Sequence, residues 1–534
     1  MRSSRVLLIC AFGILLAAYT QLIQLTAVPG LHFDEAWQGL FAHRINVDPD
    51  FFSLEAMNSY TSPLVHYMLA AAFKVFGPSL ATMRGTYAFM NLTSLLLLAG
   101  LLWRLGERFA VAWFILLWAL LPLSVHNHRF YVEVTGFHTL CLTVVLWGVA
   151  LWRRRPNLSF ALITLGVLTG VFAHILFISV FAGGIFVLAR TFPGDFRSKR
   201  SQCLIATNAL LLMPLALRMG LGLGKPLPFA LAGVLLATAA WALATPRWLR
   251  FHRLWERWPR RAMRLSKIVF FCTLPFLVSF VALLWNGFWP YAQATGYMQL
   301  AWLPLNALIF IAFAYQQIRR PGQRTATRAA DARREPSVLA PSLIWGSFVA
   351  CFLITSIIIL KQTPRYYTLP MIFAMMWAAQ RMARLQNLNT QFALAAGFVA
   401  WNLAMFHTAY LWRFEHEGSN TVEFRVAIFH DNGRDFRPFQ KMYEWARTSG
   451  CLAAVPWVED DRFKLPFDFL RLTSGPSVAT CRWNTGDLFF SHIPNYDPKF
   501  SAERTDLNTP PPVENVKYLA HFTEWGDLAV WIRR

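Results

Sequence analysis

Apolar runs long enough to cross a lipid bilayer recur along the first 412 of the chain's 534 residues, separated mostly by short loops rich in arginine. They lie near 5–27, 85–103, 109–126, 134–152, 158–173, 175–190, 201–218, 228–245, 268–286, 297–314, 338–360, 366–380 and 391–412. A spanning helix needs roughly 17–25 mostly apolar residues, because the hydrocarbon core has no water to satisfy a backbone group left outside a helix or closed barrel. Thirteen such runs predict an α-helical, polytopic membrane bundle over residues 1–412. A content of 56% hydrophobic and 15% charged residues fits that class and not a string of soluble domains.

The formal net charge of +22 invites a nucleic-acid reading until the charges are located. Residues 413–534 hold 15 Lys/Arg and 17 Asp/Glu, so the tail is balanced and the excess lies in residues 1–412, with 35 basic and 11 acidic residues. The excess sits in loops such as WRRRP (152–156) and PRWLRFHRLWERWPRRAMRLSK (246–267). This is the positive-inside pattern of cytoplasmic loops, for which anionic headgroups are sufficient partners; no nucleic acid is expected.

An odd number of spans places the N-terminus inside and the tail outside. In that orientation only Arg44, Lys74, Arg84, Arg129, Arg218, Lys225, Lys361 and Arg365 of the 35 basic residues face outward, which supports it. The run PLVHYMLAAAFKVF (63–76) is short for a span, and counting it would invert every loop downstream. It is read as an interfacial helix within a first external loop, 28–84. The first run lacks a small-residue cleavage site and is read as an anchor.

The acids then sort by side. Glu107, Asp195, Glu256, Asp331 and Glu335 fall in basic cytoplasmic loops and balance charge. Asp34, Glu35, Asp48, Asp50, Glu55 and Glu133 face outward. Asp48, Asp50 and Glu55 occupy a polar loop and are expected to be solvated. The adjacent pair in GLHFDEAWQG (30–39) emerges just beyond the first span. Two roles are open to it: capping of a short helix EAWQGLFAHRI by Asp34, with Glu35 favouring its N-terminal dipole, or catalysis. At the outer ends of spans stand Arg84, Arg129 (in HNHRFYVE), Lys361 and Arg365 (in LKQTPRYY), placed either to snorkel or to gather a phosphate. His126, His128 and His174 lie at the same level; His126 and His128 with Glu133 are weak metal candidates. A carboxylate that takes a proton, beside cations that stabilise a phosphate leaving group, suits group transfer from a lipid-linked phosphate.

The ordered set FDEAWQGL, SPLVHYMLAAAFKVFG and MRGTYAFMN resembles the N-terminal region of the GT-C glycosyltransferases related to protein O-mannosyltransferases and the lipid A aminoarabinose transferase. TPRYYTLP is more weakly similar to a later segment of that family. The resemblance implies a GT-C membrane domain over 1–412 with a periplasmic tail over 413–534, in a bacterial inner membrane. It implies an inverting transfer from a polyprenyl-monophosphate sugar to a glycan, lipid or protein. Asp34 would be the catalytic base, Glu35 its positioning neighbour, and Arg84 a donor-phosphate ligand. Glu133, with Arg129 before it, matches a second acidic position. Lys361 and Arg365 extend the phosphate set by position alone. The chain departs from the family in having Ser62-Pro63-Leu64 where a Lys and paired prolines are usual, and Glu133 where the second acid is usually Asp. No cofactor is expected to be required, although a divalent metal is possible. A diphosphate-donor oligosaccharide transferase would want one on Asp34 and Glu133. A lipid-linked-sugar transporter or flippase is the alternative outside enzymes, but polar mid-membrane helices are not evident.

The tail reads as a small α/β domain, with a helix in RPFQKMYEWARTSG (437–450) and strands in VEFRVAIF (422–429) and DLAVWIRR (527–534). Cys451 and Cys481 lie in it, where an oxidising compartment would permit a disulfide. It holds no Asn-x-Ser/Thr sequon, which favours a bacterial periplasm over an endoplasmic reticulum lumen.

Overall fold

The structure is a computed structural model. It describes residues 2–28, 31–53, 61–129, 131–152, 154–181, 198–223, 364–385, 388–411, 437–451 and 461–473, the strands named below, and a few positions between 56 and 351. Three expected spans, 268–286, 297–314 and most of 338–360, lie outside the described residues, as do Glu55, Lys361, Cys481 and the run 422–429.

The membrane portion begins with α1 (Arg2–Leu22), α2 (Phe33–Val47), α3 (Leu64–Phe76), α4 (Leu80–Arg104), α5 (Arg108–Leu120) and the short α6 (Pro122–Asn127). It continues with α7 (Gly136–Leu151), α8 (Pro156–Ala173), α9 (Lys199–Leu223), α10 (Thr368–Met382) and α11 (Leu388–Met405). Among the described residues, Leu80–Arg104, Pro156–Ala173 and Lys199–Leu217 are long and apolar enough to cross a membrane; Val6–Leu22, Arg108–Leu120 and Gly136–Leu151 are shorter apolar helices. Together they make this a multi-pass membrane protein. α3 spans Leu64–Phe76, close to the expected short helix.

Small residues let the bundle close. A Cβ on Gly166 of α8 would lie 2.9 Å from the Cys141 carbonyl of α7, and one on Gly148 would lie 2.7 Å from Ile163, so the two backbones meet at their glycines. α5 is the central helix: Ala110, Phe114, Trp118 and Ala119 are almost wholly buried between α1, α4, α10 and α11.

In the tail, α12 (Arg437–Thr448) and α13 (Asp461–Thr473) accompany a four-stranded sheet in the order β1-β2-β4-β3. The strands are β1 (Trp457–Val458), β2 (Leu488–His492), β3 (Val516–Phe522) and β4 (Leu528–Arg533). β1 runs parallel to β2, whereas β4 is antiparallel to both its neighbours. Cys451, just beyond α12, is disulfide-bonded. α13 packs on α12 and β1 and also on α2.

Candidate active site

The site is built at the start of α2. Its N-cap is His32, whose Nδ1 accepts the Asp34 N–H at 3.1 Å, while the Glu35 carboxylate reaches back to the His32 N–H at 3.1 Å. This reciprocal capping box fixes the first turn. The cap expected at Asp34 is thus supplied by His32, and the Asp34 carboxylate is left for other work.

Adjacent helical positions point about 100° apart, so Asp34 and Glu35 have different surroundings. Glu35 turns into the protein. Its Oε1 accepts Arg84 Nε at 3.0 Å and the Tyr131 N–H at 2.8 Å; its Oε2 accepts Arg84 Nη2 at 2.7 Å as well as the His32 N–H. Both side chains are wholly buried, and Arg84 Nη1 donates to the Leu25 carbonyl at 2.8 Å. A bidentate pair with its remaining lone pairs satisfied is the arrangement in which buried charge is tolerated.

Asp34 faces outward. Its Oδ2 meets Arg365 Nη1 at 2.7 Å, with the side chains 14% and 16% exposed. Arg365 sits on a 3-10 turn, Pro364–Tyr367, immediately before α10. Thr368 Oγ1 donates to the Arg365 carbonyl at 2.7 Å and accepts from Asn127 Nδ2 of α6 at 3.1 Å, so the turn is tied to the bundle. The Tyr366 ring lies 5.1 Å from the guanidinium carbon and 5.9 Å from the His174 ring.

Glu133 enters from the loop between α6 and α7. Gln38, one turn beyond Asp34 on α2, donates to its Oε2 at 2.8 Å. Burial pushes the Glu133 carboxyl up to about 7, with Asp34 adding to the rise and its own N–H, Arg365 and Gln38 opposing it. Asp34, Glu133 and Arg365 therefore share one electrostatic site, with Gln38 bridging two of its elements.

The other expected site residues fall elsewhere. Arg129 is buried at the end of α1, where Nε donates to Val28 O at 3.0 Å, Nη1 to Thr20 O at 2.6 Å, and Nη2 to Ile23 O at 2.6 Å and Gln24 O at 3.2 Å. It satisfies carbonyls that a helix C-terminus leaves unpaired. Arg84 and Arg129 are thus internal fastenings in this structure. His126 Nδ1 contacts Tyr410 Oη at 3.4 Å, whereas His128 contacts Ser124 Oγ at 3.1 Å and stacks on Trp118 at 4.4 Å. Among the described residues no group of three or more His, Cys, Asp or Glu side chains gathers to hold a metal. Asp48 pairs with Arg44 at the exposed end of α2. Gln38 was not singled out by sequence, although its place four residues after Asp34 puts it on the same face.

The helical bundle and its α2 site can be set beside solved structures of similar fold. The chain superposes on ArnT from Cupriavidus metallidurans bound to undecaprenyl phosphate with a TM-score of 0.50 and 13% identity, over 99% of this chain and 98% of that one. It is also similar to the Archaeoglobus fulgidus oligosaccharyltransferase in complex with Zn and sulfate (TM-score 0.48, 12% identity, 92% of this chain and 69% of that one). At such identities the likeness is one of fold, and it rests on the first comparison. No protein-family model and no curated protein matches the chain.

Proposed function

We propose that the protein is an inverting glycosyltransferase that moves a sugar from a polyprenyl-monophosphate donor to an envelope glycan, lipid or protein. The observation that carries this reading is the Asp34–Arg365 pair, a partly open carboxylate and cation side by side on a GT-C fold. Asp34 takes the proton of an acceptor hydroxyl as its oxygen bonds to the anomeric carbon. The bond from that carbon to the phosphate oxygen breaks on the opposite side, and its electron pair leaves with the lipid phosphate. Arg365, which opposes the rise at Glu133 and pairs Asp34, is placed to meet the charge that the phosphate gains. Glu35 and Arg84 hold the base's helix. Glu133 is protonated more readily than an ordinary carboxylate, so the site carries less repulsion against ionised Asp34.

The bound solved relative carries undecaprenyl phosphate, which supports a polyprenyl-phosphate donor here. The disulfide at Cys451 and the basic loops on the other face support a periplasmic site and a periplasmic tail over 413–534, in a bacterial inner membrane. A monophosphate donor gives a metal no assigned role in this reading, and transfer is expected to survive chelation.

The test is transfer from a radiolabelled undecaprenyl-phosphate sugar pool in membranes, comparing wild type with Asp34→Asn at equal expression. A loss of about 10²–10⁴-fold is expected for a general base. Normal transfer by the variant would remove Asp34 from the chemistry; loss of wild-type transfer in EDTA would favour a metal-dependent diphosphate donor. Gradient-driven uptake of lipid-linked sugar without transfer would point to a transporter.

A further inference from the structure

α2 carries two neighbouring stripes with opposite duties. Asp34 and Gln38, four residues apart, face Arg365 and Glu133. Glu35 and Gly39, also four apart, face inward. The first turn is fastened through Glu35 to Arg84, whereas the next position on that stripe is Gly39, which has no side chain with which to pack. The bulk there comes from the far end of the chain. Phe469 of α13 is wholly buried, its ring stacked 6.4 Å from that of Phe73 on α3. A Cβ built on Gly39 would lie 2.6 Å from Phe469 Cδ2 and 2.9 Å from Cζ, and nearer still to Cε2, so the ring lies flush on the α2 backbone.

We infer that Phe469 is a positioning residue for the base: wedged between α2 and α3, it sets the height and rotation of α2 and so holds Asp34 against Arg365. The inference rests on the reading of Asp34 as the base. It makes the tail a working part of the site, because α13 packs against α12 and β1 and is carried by the same group that holds the Cys451 disulfide. The glycine at 39 is what lets the ring come close enough; any larger residue displaces one of the two.

Two measurements on the full chain in detergent or nanodiscs test this. In Phe469→Ala, hydrogen exchange across residues 33–47 should quicken while α5 and α7 stay protected. kcat should fall about a hundredfold, the order expected for a base displaced by about 1 Å, with the donor KM unchanged. Gly39→Ala should act in the same direction, and Gly39→Ala combined with Phe469→Leu should recover activity that neither single variant has, since the smaller side chain vacates the space that the new Cβ needs. Phe469→Leu alone is the milder variant if Phe469→Ala fails to fold. Unchanged exchange at α2, or a double variant no better than its singles, would overturn the inference. If wild type transfers no sugar from an undecaprenyl-phosphate sugar, the proposed reaction fails, and exchange at α2 still decides whether Phe469 positions it.

Discussion

Two acid–arginine pairs start from neighbouring residues and end in opposite environments. Glu35–Arg84 is sealed from solvent, and every lone pair of its carboxylate meets a donor, two from the guanidinium and two from backbone. Asp34–Arg365 is joined through one 2.7 Å contact, partly exposed, with a second carboxylate in the same field. The saturated pair has no acceptor capacity left to offer a substrate; the open pair has. A buried pair in which each charge depends on the other acts as a fastening, whereas a half-open pair can exchange partners as substrate arrives.

The sharpest way to break the comparison is to remove one member of the sealed pair. Arg84→Met leaves the Glu35 carboxylate buried and unpaired and should cost about 3–5 kcal/mol of stability. Thermal unfolding in detergent reads this directly, and Glu35→Leu added to Arg84→Met should regain much of the loss. An unaltered unfolding midpoint would show that the pair is not sealed. Arg365→Met should do the reverse. A partly exposed pair contributes about 0–1 kcal/mol, so the fold should hold, while transfer from undecaprenyl-phosphate sugar should fall by about 10²–10³-fold if the guanidinium stabilises the leaving phosphate. Equal losses of stability from the two arginine variants would erase the distinction.

The sequence shows the acids but not their division of labour. An Asp-Glu pair just outside an apolar run is conspicuous by its cost, and the positive-inside bias leads one to expect it on the outer face. Which acid is sealed and which is half-open depends on partners 49 and 331 positions away, Arg84 and Arg365, brought together only by helix packing. The cap was hidden for another reason: His is not among the usual N-cap residues, so His32 gave no signal, while Asp34 beside it gave a misleading one. Arg129 looked like a phosphate ligand because it is a cation at a helix mouth, yet the end of α1 presents four carbonyls to it. In the tail, the α12 helix and the β4 strand follow local periodicity and appear where expected. The burial of Phe469 against Gly39 has no local signature, since either residue alone reads as ordinary.

The effect that sharpens the comparison most finely is the pH dependence that Glu133 brings to the open pair. Its carboxyl is raised from 4.5 to about 7 in the folded chain, chiefly by burial and then by Asp34. Between those values the folded state holds a proton that the unfolded state has released. Stability should therefore be highest below 4.5 as far as this group is concerned, fall as pH rises through 7, and level off above it. Glu133→Gln abolishes that slope, so its unfolding midpoint should meet wild type at acid pH and exceed it at pH well above 7, with the gap opening across the interval. Parallel wild-type and Glu133→Gln curves would mean that Glu133 is neither buried nor in the field of Asp34, and the open site would shrink to one acid and one arginine.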